Sequence, residues 1–192
     1  MKRLRKAFAQ EVANTLTAVL DQLKFIDECG VHLGLTRLYG RAVPGQRVVE
    51  ATMEYSGPNY TLVAALSLHQ VSAPWLLEGA LNGLAFETYV DQVLAPTLRL
   101  GDVVVIDNLS AHKGVAIRAA IEARQARVVF LPPYSPDLNP IEKCWAKVKT
   151  ALRAAKAQTF DALVEAVRDA LYTITPNDAA AWFAHCGYAI NP

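Results

Sequence analysis

The chain has 192 residues, 53% of them hydrophobic, and a formal net charge of +1 at pH 7. This composition is typical of a single globular domain and excludes an intrinsically disordered chain. The near-neutral charge excludes a uniformly basic nucleic-acid binder, so any contact with nucleic acid would depend on local basic patches. Three cysteines without a CxxC pair argue against a disulfide framework and favour reduced thiols.

The first 23 residues predict an amphipathic helix. Their apolar residues recur at helical spacing and would form one stripe: Leu4, Phe8, Val12, Leu16, Val19 and Leu23. Polar residues interrupt the apolar run, which argues against a signal peptide, and no stretch is long enough to span a membrane. We expect residues 1–23 to be a linker or a partner-binding helix.

Three strands joined by turns are predicted next. The segment KFIDE, residues 24–28, is a short buried strand that ends on acids. A Pro44-Gly45 turn between two strand-like runs predicts a hairpin over residues 36–55. After a second turn, the apolar segment 60–70 predicts another strand.

The rest of the chain alternates between helical and strand patterns. Helices are predicted over 84–99 and 114–125, and buried strands over 102–108 and 126–132. From Pro140 the pattern is helical almost to the end. The order predicts one α/β domain over 24–192. We expect a mixed five-stranded sheet, an antiparallel meander followed by βαβ crossovers, flanked by helices.

Three acids occupy positions that suggest a metal site. Asp27 ends the first predicted strand, Asp107 ends the strand over 102–108, and Glu142 opens the helix that follows the last strand. If the two strands are neighbours, both aspartates emerge at one sheet edge, where ligand sites of α/β proteins tend to lie. Carboxylates gathered there would repel one another without a cation between them. Ligands of this kind favour Mg²⁺ or Mn²⁺, and two such ions about 4 Å apart support phosphodiester chemistry.

Each acid also has a purely structural interpretation. An aspartate at a strand end is often a turn former, and Asp107 with Asn108 could cap a helix that begins near Ser110. A glutamate in a first helical turn is favoured by the helix dipole alone. Taken singly, each acid is more often structural, and the combination carries the metal hypothesis.

A proline-rich segment precedes Glu142. In LPPYSPDLNPIEKCW, residues 131–145, four prolines restrict the backbone just before the helix begins. Pro140 is predicted at the first helical position and Asn139 at the N-cap. Such a rigid approach would place Glu142 accurately.

The helix over 141–155 is predicted to carry two different faces. At about 100° per residue its apolar residues share one face: Ile141, Trp145, Val148 and Leu152. Glu142 lies at the edge of that face, in line with Lys149, Arg153 and Lys156. A basic row of this kind suits a phosphate backbone, although an ordinary solvated face is the alternative, which we favour for Lys156.

These motifs resemble a known family. The segments FIDE, VIDNLSAHK and PPYSPDLNPIEKCWAKVK, with GLTRLYGRAVPGQR after the first acid, are similar to the catalytic-domain signatures of the mariner-related bacterial transposases of the insertion-sequence-630 type. The spacing also agrees with that family, because 34 residues separate Asp107 from Glu142. The similarity extends from about Lys24 to the C-terminus.

The resemblance implies an RNase H-like fold of the DDE type, with Asp27, Asp107 and Glu142 as the metal-binding catalytic triad. It implies cleavage of DNA at element ends that depends on Mg²⁺ or Mn²⁺. It also implies attack of the freed 3′-hydroxyl on target DNA, commonly at TA. A bacterial, cytoplasmic location at the nucleoid follows from the same resemblance.

The expected partners are DNA and a second copy of the chain. Members of the family carry helix-turn-helix modules that recognise element ends. Too few residues precede Asp27 for such a module, so we expect a catalytic part, which could be a truncated copy, a separate reading frame or a cut piece of a longer chain. A separate helix-turn-helix subunit or reading frame is then a further expected partner. Candidate DNA contacts are the hairpin arginines, a histidine after the second acid and two helix cations: Arg37, Arg41, Arg47, His112, Lys149 and Arg153. A helix-surface role is the plainer interpretation of His112.

Two other functions remain open at this stage. One is a different RNase H-like nuclease, such as a ribonuclease or a junction resolvase. The other is a decayed or domesticated transposase that only binds DNA or a partner chain.

Overall fold

A computed structural model describes residue 8 and residues 17–37, 39–51, 55–109 and 114–188. The predicted mixed sheet of five strands is confirmed, with the spatial order β3-β2-β1-β4-β5. The strands are β1 (Leu23–Val31), β2 (Tyr60–Leu66), β3 (Val71–Glu78), β4 (Val103–Ile106) and β5 (Arg127–Phe130).

The strand pairing also follows the predicted plan. β1, β2 and β3 pair antiparallel as a meander, whereas β4 and β5 are added parallel to β1 on its other side. β2 and β4 are completely buried, which explains their unbroken apolar sequences. β1 is therefore central, and the carboxyl end of β4 lies beside the middle of β1, where Ile26 pairs with Ile106.

Helices cover both faces of the sheet. They are α1 (Gly83–Tyr89), α2 (Val115–Glu122), α3 (Ile141–Ala155), α4 (Phe160–Tyr172) and α5 (Pro176–His185), and α1 continues through a π-helical turn over Val90–Leu94. The α1 and α2 side forms one apolar cluster against the sheet. Helices α3, α4 and α5 form a larger cluster on the opposite face. The site develops on that second face.

The predicted hairpin over 36–55 is wrong. Val43, Pro44, Gly45 and Gln46 do form a tight turn, in which Gly45 has φ +86° and the Gln46 N–H donates to the Val43 carbonyl at 3.0 Å. The described residues on either side of that turn are not strands. Val49 shows the reason, because it is 85% exposed, and a strand requires a partner and a buried face.

The true hairpin joins β2 to β3. The predicted strand over 60–70 runs past its turn, because that turn contains neither glycine nor proline. It is closed by Ser67, whose N–H and Oγ both donate to the Gln70 carbonyl at 2.9 and 3.0 Å. The sequence pattern does not predict β3, since Pro74 interrupts it. β3 tolerates the proline because it is an edge strand with a register shift opposite Val63 and Ala65.

Most of the predicted first helix lies outside the described residues. Thr17–Gln22 is a 3-10 helix, and Leu23 begins β1 instead of ending a helix. Phe8 is described and is buried in the cluster beneath α3–α5. Among the helices of the described ranges, none combines the length and apolar character needed to cross a bilayer.

Candidate active site

Asp27 and Asp107 lie side by side where β4 ends. The prediction that Asp27 ends its strand is wrong, because β1 continues to Val31 along its antiparallel pairing with β2. β1 and β4 run parallel with Ile26 opposite Ile106, and each aspartate is the next residue along its strand. Side chains alternate between faces, so both aspartates project away from the α1–α2 side, to which the two isoleucines belong. The prediction that these acids emerge together is therefore supported by the strand register.

Asp107 also performs the structural role considered from the sequence. Its Oδ1 accepts a hydrogen bond from the Leu109 N–H at 3.2 Å, which is the geometry of an Asx-type turn. That bond orients the carboxylate at the end of β4. A turn-forming and a ligand-binding role are therefore compatible in this residue.

Helix α3 carries Glu142 to the same place. The predicted apolar face is confirmed, with Ile141, Trp145, Val148 and Leu152 all buried in the sheet-facing cluster together with Cys144. Glu142 itself is exposed at the first turn of the helix. Burial of one face of α3 therefore sets the direction in which the third acid points.

The proline-rich segment is held in place from several sides. The Leu131 N–H donates to the Ile106 carbonyl at 2.9 Å, and the buried Tyr188 Oη donates to the Leu138 carbonyl at 2.8 Å. Tyr134, which is 85% exposed, has a left-handed backbone at φ 54°. A non-glycine residue in this region is strained, and such strain persists only where the surroundings fix it.

The three acids line one cavity of about 290 Å³. Asp27, Asp107 and Glu142 share this cavity with Asn108, Leu109 and the segment 131–136. A larger cavity of about 370 Å³ lies between β3 and α4, but its lining is mostly apolar and contains no carboxylate. We therefore place the candidate active site in the smaller cavity, where the chemistry-bearing side chains are.

Asn139 differs from its predicted role. Pro140, not Asn139, directly precedes the first residue of α3, and no side chain caps the helix. Asn139 is 4% exposed, lines the acid cavity and leaves its Oδ1 buried without a hydrogen-bond partner. A buried amide oxygen without a partner is costly, which suggests a ligand or a bound water at this point.

The donors around the cavity fit a hard divalent cation. Carboxylate and amide oxygens are the ligands that Mg²⁺ and Mn²⁺ prefer, whereas zinc sites favour nitrogen and sulfur. Within the described ranges, no three or more His, Cys, Asp and Glu side chains are close enough together to hold a metal ion as they stand. The acids thus face one space without converging on a point, as expected of carboxylates that repel one another.

Electrostatics single out Asp27. Burial, together with the negative charges of Glu142, Glu28 and Asp107, raises the pKa of its carboxyl group to about 8. Burial likewise raises the pKa of the nearby Cys29 thiol to about 12, although the positive charge of Lys149 opposes this shift. A cation in the cavity would relieve the repulsion that Asp27 experiences.

Sequence reasoning missed one contact of Asp27. The indole Nε1–H of Trp145 donates to Asp27 Oδ2 at 3.2 Å. The helical pattern placed Trp145 on the buried face of α3, and that is correct. Periodicity alone does not reveal that its one polar atom reaches a carboxylate 118 residues away in the chain.

The candidate DNA-contact residues differ in their exposure to solvent. Arg37, Arg41 and Arg47 are exposed on the irregular segment after β1, whereas Lys149 and Arg153 are half-buried on α3. Lys156 forms an ion pair with Glu50, in agreement with the ordinary surface role favoured from the sequence. His112 lies outside the described residues, so its role stays a prediction.

Comparison with known proteins agrees with this architecture. A family model described as DDE superfamily endonuclease matches residues 22–164. Over 89 residues the chain is 29% identical to the Transposable element Tc1 transposase of Caenorhabditis elegans. That match spans 46% of this chain and 26% of the relative, so the chain accounts for about a quarter of that relative's length.

Two solved structures illustrate the similarity of fold. The Mos1 mariner paired end complex with Mn gives a TM-score of 0.74 at 16% identity, covering 97% of this chain and 57% of that one. The catalytic domain of Mos1 mariner transposase gives 0.65 at 14% identity, covering 100% and 97%. The expected RNase H-like fold is confirmed by this match.

The raised pKa of Asp27 predicts a pH-dependent stability. The folded state holds the Asp27 proton up to about pH 8, whereas the ordinary pKa is 3.8. Asp27 therefore favours folding most below about pH 4, and that contribution is lost as the pH rises toward 8. In metal-free buffer, Asp27→Asn should match the wild-type melting temperature near pH 4 and exceed it by a few degrees at pH 8.

Thermal unfolding followed by circular dichroism at pH 4–8 measures this difference. Asp169→Asn, which neutralises an exposed carboxylate on α4, is the matched control and should show no comparable gain with pH. A constant difference between Asp27→Asn and wild type across the range would contradict the electrostatic account.

Proposed function

The chain belongs to the family of DDE superfamily endonucleases, and we propose that it is the catalytic domain of a transposase of the mariner-related insertion-sequence-630 type. The observation that carries this proposal is the cavity into which Asp27, Asp107 and Glu142 all open. The YSPDLNPIE segment and the 34-residue spacing between the last two acids support the finer assignment.

We propose that Asp27, Asp107 and Glu142 together bind two divalent cations, either Mg²⁺ or Mn²⁺. Bound divalent cations would supply Lewis-acid activation of the attacking oxygen and stabilisation of the leaving oxygen. The two aspartates are fixed by neighbouring strands, whereas Glu142 is exposed at a helix start and is the acid best able to adjust. Structures of Mos1 with Mg and with Mn support this choice of cations.

The reaction proposed is DNA cleavage at element ends, followed by attack of the freed 3′-hydroxyl on target DNA, commonly at TA. The rigid segment 131–140 would form one wall of the site against which the scissile phosphate lies. Related Mos1 assemblies are paired-end and strand-transfer complexes. By analogy we propose that two copies of this chain act together, with a helix-turn-helix module recognising the ends.

Exposed arginines provide the proposed contacts to the DNA backbone. Arg37, Arg41 and Arg47 are all exposed on the segment that follows β1, which leaves the sheet in the direction in which Asp27 and Asp107 follow Ile26 and Ile106. Lys149 and Arg153 continue from Glu142 along α3. Contacts of this kind neutralise phosphates without reading sequence, so they confer binding that weakens with salt.

The acid triad can be tested by isosteric replacement. Asp27→Asn, Asp107→Asn and Glu142→Gln should each lower Mg²⁺- or Mn²⁺-dependent plasmid nicking at least about a hundredfold, because each removes a negative ligand of the cation. Glu122→Gln is the matched control, since Glu122 is an exposed carboxylate at the end of α2, on the opposite face of the sheet. Near-normal nicking by any one triad variant would remove that residue from the proposed site.

The choice of substrate separates transposition from the rival nuclease functions. Transposon-end DNA, RNA–DNA hybrid and branched DNA should be offered to the wild-type chain under the same conditions. We expect the chain alone to cleave DNA duplex in preference to the other two substrates. Once a helix-turn-helix module is supplied, we expect cleavage at the end DNA and, with target plasmid, joined products whose junctions lie at TA. Preference for the hybrid or the branched substrate would instead identify a ribonuclease or a resolvase, and binding without cleavage would favour the decayed transposase.

The arginine segment predicts a specific salt dependence. Replacing Arg37, Arg41 and Arg47 together by alanine should reduce DNA affinity and lower the slope of log affinity against log salt by about three, roughly 0.9 per lost phosphate contact. Arg124→Ala is the control, because Arg124 is exposed just before β5, at the opposite sheet edge. An unchanged slope in the triple variant, measured by fluorescence anisotropy, would exclude this segment from the DNA interface.

A further inference from the structure

A single hydrogen bond connects the first acid to the helix that carries the third. The Trp145 Nε1–H donates to Asp27 Oδ2 at 3.2 Å. Trp145 is 2% exposed, so water does not compete for this donor. The bond therefore belongs to the protein interior, next to the cavity.

Helix geometry couples the position of Asp27 to that of Glu142 through this contact. Trp145 follows Glu142 by three residues, so the two side chains are neighbours one turn apart on α3. The same rigid helix thus presents Glu142 to the cavity and holds the carboxylate of Asp27 on β1. A displacement of α3 would move both groups together.

Packing alone does not require this particular partner. A buried tryptophan needs some acceptor for its N–H, and a backbone carbonyl would serve equally well. Here the acceptor is a carboxylate oxygen of the proposed metal-binding triad. The indole bond restricts the rotation of the carboxylate, which also accepts a hydrogen bond from the Glu28 backbone.

We propose that Trp145 is a positioning residue that orients the Asp27 carboxylate for binding of the divalent cation. The inference rests on the proposed metal-dependent function. Residues that hydrogen-bond to metal ligands fix their orientation, and their loss commonly lowers metal affinity about 10–100-fold. Trp145 would act through Asp27 and would touch neither substrate nor cation.

The direct test is Mn²⁺ binding by Trp145→Phe, measured by isothermal titration calorimetry and by the electron paramagnetic resonance signal of free Mn²⁺. Phenylalanine retains a buried ring and removes the donor, so affinity should fall about tenfold or more. The Mg²⁺ concentration that half-saturates nicking should rise in parallel, and the rate should recover substantially at saturating metal. Trp182→Phe, an indole replacement at the rim of the same cluster, should leave both quantities at wild-type values.

A second measurement uses the unaltered protein and so does not depend on how Trp145→Phe folds. The chain has three tryptophans, and their indole N–H resonances can be followed by ¹⁵N–¹H NMR during Mg²⁺ titration. The Trp145 resonance should shift with metal, whereas those of Trp75 and Trp182 should not. The shift should be absent in Asp27→Asn.

The outcomes separate this inference from the function on which it rests. If wild type binds Mn²⁺ but Trp145→Phe binds it equally well, or if the Trp145 resonance stays fixed while Mg²⁺ binds, the positioning role is wrong and the triad stands. If wild type binds neither cation, the metal-dependent function and the positioning role are both overturned.

Discussion

The site depends on one constraint, the packing of α3 against the sheet on the face to which Asp27 of β1 projects. The buried stripe of α3, from Ile141 to Leu152, fixes how the helix is rotated about its axis and where it lies on the sheet. Once that face is buried, Glu142 is directed toward the cavity and the Trp145 indole reaches Asp27. Core burial of this kind provides most of the stability of a domain, so the geometry of the site is fixed by the same contacts that fold the chain.

This packing holds groups together that are unfavourable next to one another. Burial, followed by the charges of the neighbouring carboxylates, raises the pKa of Asp27 to about 8, and Asn139 Oδ1 is buried without a partner. Both features cost stability in the protein alone and would be relieved by a cation and its water shell. Active sites commonly retain such unfavourable features because the ligand, not the fold, is their complement.

The sequence predicts the residues of the site better than it predicts where the strands and turns lie. Asp27 and Asp107 are recognisable because each interrupts a strongly apolar run, and α3 because its apolar spacing is regular. The pattern does not show that β1 continues beyond Asp27 to Val31. The hairpin over 36–55 was wrong because β-branched residues such as Val49 indicate a strand only when a neighbour pairs with them. β3 escaped prediction because Pro74 is tolerated at an edge. The contact of Trp145 with Asp27 depends on tertiary packing, which no local pattern contains.

The central claim is that α3 and the two strands assemble one cation site from three acids. Anomalous diffraction from a Mn²⁺-soaked crystal of the wild-type chain tests it most directly. The account predicts Mn²⁺ peaks in the acid cavity that between them lie about 2.1 Å from oxygens of Asp27, Asp107 and Glu142. Metal peaks outside that cavity, or peaks there of which none contacts Glu142, would contradict the account.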